Sequence, residues 1–253
     1  MSGNLFLGLE AVLPSLPELG GRAIKREFLH LTLLFFGKVK EGELIEKLKI
    51  SPIPSFKICP AAKSSRILHL SHVLALDIEF MNKSDLLFQW KNSLEFFFSY
   101  KESRPYLPHV TITRQSDRSL ADQSLLFPIP CYFKNLHLYQ GLGNSEYSVL
   151  WTHPFSPIFE PLDHTADYGF VIFGESYNDL YLHALMALSD DYHALRPHLH
   201  QVECAQIEDV IIHLNKVLSF VDQEVGIGIK AVSFHAKISE SNGILKWEMI
   251  VDI

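Results

Sequence analysis

Arg104-Pro105-Tyr106-Leu107-Pro108-His109-Val110-Thr111-Ile112-Thr113-Arg114 decides the reading of this chain, because an upstream stretch repeats its pattern: Glu27-Phe28-Leu29-His30-Leu31-Thr32-Leu33-Leu34-Phe35-Phe36-Gly37. Both read as strands, rich in β-branched, leucine and aromatic residues and bounded by turn formers. Side chains alternate along a strand, so His30 shares a face with Thr32, and His109 with Thr111. Leu31, Leu33, Val110 and Ile112 then form the apolar faces. Two such strands offer one imidazole to take a proton, another to give one, and two hydroxyls to bond an anion between them. One His-x-Thr is a common tripeptide; two copies, each opening an amphipathic strand, carry the signal. Strict alternation turns Arg114 away from His109, which leaves it out of the expected site. Phe36 reads as core, and Tyr106 as either core or a stacking surface.

Other features bound the answer. The chain has 253 residues, 47% of them apolar, with mean hydropathy +0.10, enough for one large domain or two small ones. No apolar run reaches membrane-spanning length, and the N-terminus lacks a basic region followed by an apolar one. Cys59, Cys131 and Cys204 lie far apart without a Cys-x-x-Cys pair. A reduced, cytoplasmic setting is expected. Charge divides near residue 155: 17 Lys and Arg against 14 Asp and Glu before it, and 5 against 15 after it. The first part, at +3, tolerates a nucleic-acid end; the second, at −10, suits a cation or a basic protein surface.

The residues His30-Leu-Thr32-Leu and His109-Val-Thr111-Ile resemble the paired motifs of the 2H phosphoesterase superfamily. They are most similar to its bacterial RNA 2′,3′-cyclic phosphodiesterases, once called 2′-5′ RNA ligases. Leu5-Phe6-Leu7-Gly8-Leu9, Phe-Phe-Gly37 and Arg-Pro-Tyr-x-Pro before the second motif agree with it. The resemblance implies a bilobal fold of mainly antiparallel sheets with flanking helices, and hydrolysis of RNA 2′,3′-cyclic phosphate ends to 2′-phosphate without a cofactor. It makes His30 the acid that frees the 3′ oxygen and His109 the base that activates water; the residues themselves leave the reverse order open. Thr32 and Thr111 would hold the phosphoryl oxygens. A helix is usual before the first motif, but Pro14, Pro17, Gly20 and Gly21 leave it little room.

Strands are expected at Leu5–Glu10, Phe56–Ile58, Ile67–Leu70, Val73–Asp77, Phe133–Tyr139 and Tyr147–Trp151, and helices at Glu41–Lys49 and from Ser84. The second helix should bury Leu86, Trp90, Leu94 and Phe97. Prolines at 154, 157 and 161 suit a linker over 156–161, dividing a unit at 1–155 from one at 162–253. In the second unit, Ser176 and Asp179 have the spacing of a capping box before a helix through Leu188.

Asp163-His-Thr-Ala-Asp167, Lys230-Ala-Val-Ser-Phe-His235 and Val251-Asp252-Ile253 resemble the motifs of the archease family. That resemblance implies a smaller α/β sandwich, so the chain as a whole is expected to be α+β. It also implies a divalent cation, usually calcium, held here by Asp167, Asp252 and Ile253. The partner implied is the GTP-dependent RNA-splicing ligase of tRNA processing and RNA repair. The helix through Val221 runs almost directly into Gly226, so strands usual in that family are missing. His193, His198 and His200 read as a solvated loop.

Overall fold

The computed structural model describes residues 3–16, 21–100, 105–114, 124–162, 168–233 and 237–253. The first part of the chain runs through β1 (Leu5–Val12), β2 (Arg22–Ala23), β3 (His30–Gly37), α1 (Glu41–Lys49), β4 (Ala62–Leu70) and β5 (Val73–Asp77). It continues with β6 (Glu79–Phe80), α2 (Ser84–Phe97), β7 (His109–Arg114), β8 (Ser124–Gly143) and β9 (Glu146–Pro154). Among the described residues nine strands form one antiparallel sheet in the order β6-β4-β5-β7-β3-β1-β8-β9, with β2 on β7. The long β8 pairs with β1 through one half and with β4 through the other, closing the sheet into a ring. The two His-x-Thr strands meet as neighbours, paired through Leu31↔Val110. Sequence separation is therefore erased by one strand pairing.

The apolar faces point into a common core. Leu5, Leu7 and Leu9 of β1, Leu31 and Leu33 of β3, and Val110 and Ile112 of β7 are buried there with Leu87, Trp90 and Leu94 of α2. The buried side of α2 is Leu87, Trp90, Lys91 and Leu94, at i, i+3, i+4 and i+7. Leu86, expected inward, is 37% exposed, because it lies one helical step off that stripe. Phe56–Ile58 is not a strand; Phe56 is a core residue stacked on Phe155, and Ile58 makes a single bridge to Ser156.

The second part comprises β10 (Phe159–Leu162), β11 (Tyr168–Gly174), α3 (Tyr177–Asp191), α4 (Ile207–Val225), β12 (Ala231–Val232), β13 (Lys237–Ser241) and β14 (Ile244–Asp252). Its antiparallel sheet has the order β10-β11-β14-β12, with β13 also on β14. The stretch expected as a linker thus supplies β10: prolines suit an edge strand, where a missing donor costs nothing. The α+β class with antiparallel sheets is what the chain forms. Ser176 caps α3 by accepting from Asp179 N at 3.1 Å, and Gly226, at φ +67°, ends α4. Every residue of α3 from Asp179 to Ser189 is buried, as befits a helix covered on all sides. Among the described residues no helix is long and apolar enough to cross a membrane.

The two parts share a boundary that is both apolar and charged. Ile58 and Ala61 belong to the core of the second part, with Met81 and Tyr132 packed on it. Beside them Lys83 Nζ reaches Glu175 at 2.5 Å and Asp179 at 2.9 Å. Asn82 donates to Asp179 at 2.8 Å and accepts from Ala61 N at 2.7 Å. Glu175 and Asp179 stand 92 and 97 positions from their respective partners Lys83 and Asn82, so no local pattern announces them.

Candidate functional site

β3 and β7 place the motif residues from two sides of one pairing. Extending the register of Leu31↔Val110 by one residue puts His30 across from Thr111 and Thr32 across from His109. Each histidine is fixed in the same way. His30 Nδ1 donates to the Phe28 carbonyl at 2.7 Å, and His109 Nδ1 to the Leu107 carbonyl at 2.8 Å, in both cases two residues upstream. A carbonyl only accepts, so the proton of a neutral ring sits on Nδ1 and the Nε2 lone pair stays available.

His30, Thr32 and Thr111 line a cleft of about 410 Å³. The His30 ring lies against Phe6 and Tyr139, with centroids 4.8 and 5.1 Å away, and Tyr147 meets it edge-on at 5.0 Å. Gly8 lets β1 lie close against β3 here: a Cβ there would stand 3.1 Å from the Leu31 carbonyl. Burial holds the His30 imidazole down at about 4 against the pull of the Phe28 carbonyl, and the charges of His109 and Arg114 add to the fall. His109, more exposed, is within electrostatic reach of His30 but is not among the residues lining the cleft.

Arg114 corrects the expectation from strict alternation. On β7, Ala75 pairs with Thr111 but Leu74 with Thr113, so one extra residue is inserted between them. This β-bulge buries both Ile112 and Thr113 and returns Arg114 to the face of His109 and Thr111. β3 has the same feature. Gly8 pairs with Thr32 but Leu7 with Leu34, so Leu33 and Leu34 are both buried and Phe35 rejoins the cleft, 47% exposed. The twin motif is therefore longer than four residues, with Phe35 and Arg114 in equivalent places. Paired inward residues after the motif, Leu33-Leu34 and Ile112-Thr113, are the signal that could have revealed it.

Arg114 donates to the Tyr147 hydroxyl at 3.2 Å, and its buried Nε has no partner among the described residues. Arg22, paired with it across strands, also lines the cleft and donates to Ser145 at 3.2 Å. Two guanidiniums beside a neutral imidazole favour a phosphate-like anion. Replacing Arg114 by lysine, which keeps the charge but loses the planar fork, is expected to weaken binding of inorganic phosphate about tenfold; calorimetric titration beside wild type would check it. Tyr106 belongs to the scaffold: its hydroxyl donates to the Thr32 carbonyl at 3.0 Å, under Lys91. Phe36 packs on Phe98 and Tyr100.

The chain is similar to several solved structures. Escherichia coli LigT complexed with 3′-AMP shares 21% identity at TM-score 0.44, covering 62% of this chain and 99% of that one. A crystal structure of a phosphoesterase gives 18% and 0.43 over 62% and 99%. The protein TT0787 of Thermus thermophilus gives 18% and 0.43 over 60% and 97%. No protein-family profile and no curated protein matches the chain.

Of the residues expected to hold a metal, Asp252 and Ile253 are described. Asp167 lies outside the described residues, as do Phe234 and His235. Asp252 is exposed at the end of β14, and the Ile253 backbone oxygen accepts from Lys230 Nζ at 2.6 Å. A fixed ammonium there competes with a divalent cation, and the described residues contain no group of three His, Cys, Asp or Glu arranged for a metal. The stretch read as a solvated loop is a 3₁₀ helix over His193–His198 that buries Leu195 and Arg196, with His198 packed on Phe220.

Proposed function

We propose that this chain hydrolyses RNA 2′,3′-cyclic phosphate ends to 2′-phosphate. The observation that carries the reading is the pair of neighbouring strands whose histidines are anchored by identical bonds to the carbonyl two residues back. Water attacks phosphorus and gives its proton to one imidazole; the bond to the 3′ oxygen breaks, and that oxygen takes a proton from the other. Thr32 and Thr111 hold the phosphoryl oxygens while charge builds, and Arg114 neutralises it. Both histidines are regenerated by exchange with solvent. The resemblance makes His30 the donor; its burial supports the reverse order, since a ring held at about 4 is neutral and ready to accept.

Incubation with a short RNA ending in 2′,3′-cyclic phosphate, in chelator, tests the reading. The expected product is 2′-phosphate; 3′-phosphate or unreacted substrate would refute it. With His30 as base, kcat/KM falls tenfold per unit as pH drops below about 4, and an acid limb well above that value would show that the group needed in its neutral form is not the buried His30 ring.

For the second unit, residues 162–253 after a hydrolase unit at 1–155, the proposal is an archease-like module that supports GTP-dependent RNA ligation. Its motifs at 163–167, 230–235 and 251–253 carry that reading, rather than any assembled site. GTP-dependent sealing by the partner ligase, with and without this chain, would test it. A second reading, a non-enzymatic RNA-end adaptor for that ligase, is favoured by His109 standing outside the cleft lining. Tight binding of cyclic-phosphate ends without turnover would select it.

A further inference from the structure

The cleft does not end at the motif residues. It shares Asn4, Gly141 and Gly143 with a second hollow of about 320 Å³, lined also by Gly3, Lys38, Gln140 and Leu142. We infer that the cleft and this adjoining hollow together receive the nucleotides 5′ to the reacting end, with Lys38 taking a phosphate of the RNA backbone. The inference rests on the hydrolase reading for its orientation and names oligonucleotide ends, over cyclic mononucleotides, as the substrate class.

Three features of the groove suit a nucleic-acid strand. Its floor is bare backbone: Gly3 crosses Gly141 so closely that a Cβ would collide with that carbonyl, and Gly143, at φ +92°, faces open space. A sugar-phosphate chain can approach such a floor without displacing side chains. Phe35 and Leu142 offer apolar surface along the path, 47% and 62% exposed, where a base can stack. Phe35 stands four ladder steps from His30 once the bulge is allowed for, about 13 Å at strand rise, a span beyond one nucleotide's phosphate.

Charge sets both the path and its end. Lys38 is exposed and forms no ion pair among the described residues. Beyond it the groove continues past Lys40, Glu41 and Glu43, where Lys40 is held by Glu43 at 3.1 Å. Past Lys38 the described lining offers no further unpaired cation, which limits the track to about one upstream phosphate. On the other side Glu146, the acidic residue of the cleft, is met by Lys25 at 3.5 Å.

The test compares a trinucleotide ending in 2′,3′-cyclic phosphate with a nucleoside 2′,3′-cyclic phosphate, in wild type, Lys38→Ala and Lys38→Arg. The ratio of kcat/KM, trinucleotide to mononucleotide, is expected to fall about fivefold in Lys38→Ala and to recover in Lys38→Arg. The slope of log kcat/KM for the trinucleotide against log salt should become shallower by about one. An unchanged ratio and slope would overturn the inference. Should wild type turn over neither substrate, the hydrolase reading fails by itself. Salt titration of trinucleotide binding to wild type and Lys38→Ala then decides the groove: equal slopes reject it, and a shallower slope in the variant upholds it.

Discussion

Replacing His30 or His109 by alanine is expected to cut turnover of a cyclic-phosphate RNA end by about 10²–10⁴-fold each, the usual range for a positioned acid or base. The loss should fall on kcat, because the imidazoles act on protons that move only in the transition state, whereas Thr32, Thr111 and Arg114 remain to bind the anion. The double variant should be little worse than either single one, since the two groups act on one reaction coordinate. Folding should survive. Each ring contributes one hydrogen bond to a backbone carbonyl, worth about 1 kcal/mol. His30→Ala loses more, because its ring fills space between Phe6 and Tyr139. Circular dichroism and thermal melts would separate lost chemistry from lost fold. Retention of activity within tenfold of wild type by either folded variant would sink the paired-histidine mechanism.

What could be read in the sequence follows from how local each feature is. The α1 helix appeared at its expected limits, Glu41–Lys49, because its signal is the spacing of Leu44 and Leu48 between charged residues. The strands around His30 and His109 were equally legible, since alternation is a property of a few neighbouring residues. Arg114 and Phe35 were hidden by the bulges. One inserted residue exchanges the two faces of a strand, and the insertion is defined only against the partner strand. Proline spacing made residues 156–161 read as a linker, whereas the pairing of Phe159–Leu162 with β11 draws part of that stretch into a sheet. Tertiary pairing decided each of these cases.

The boundary between the two parts should depend on its buried charge cluster. Lys83→Met is expected to destabilise the protein by about 3–5 kcal/mol, the cost of leaving a buried charge without its partner. The Lys83 side chain is 12% exposed and faces Glu175 at 18% and Asp179 at 3%, so solvent cannot replace the missing ammonium. Burial raises the Asp179 carboxyl, but His183, Lys83 and Asn82 together outweigh it and hold the group below its ordinary value. Removing Lys83 takes away one of those counterweights and leaves the burial. Lys83 also sits at φ +51°, a left-handed conformation that costs a non-glycine residue about 1–2 kcal/mol and that α2 adopts at its start. The ion pairs offset that strain. Adding Asp179→Asn to Lys83→Met should recover part of the loss, because it removes the stranded charge while keeping an acceptor for Asn82; a coupling of about 0.5–3 kcal/mol is expected. Urea unfolding followed by tryptophan fluorescence would measure both, with Trp247 reporting on the second core and Trp90 on the first. A Lys83→Met variant within about 1 kcal/mol of wild type, well under the cost of a stranded charge, would mean that the apolar contacts of Ile58, Ala61 and Met81 hold the boundary unaided.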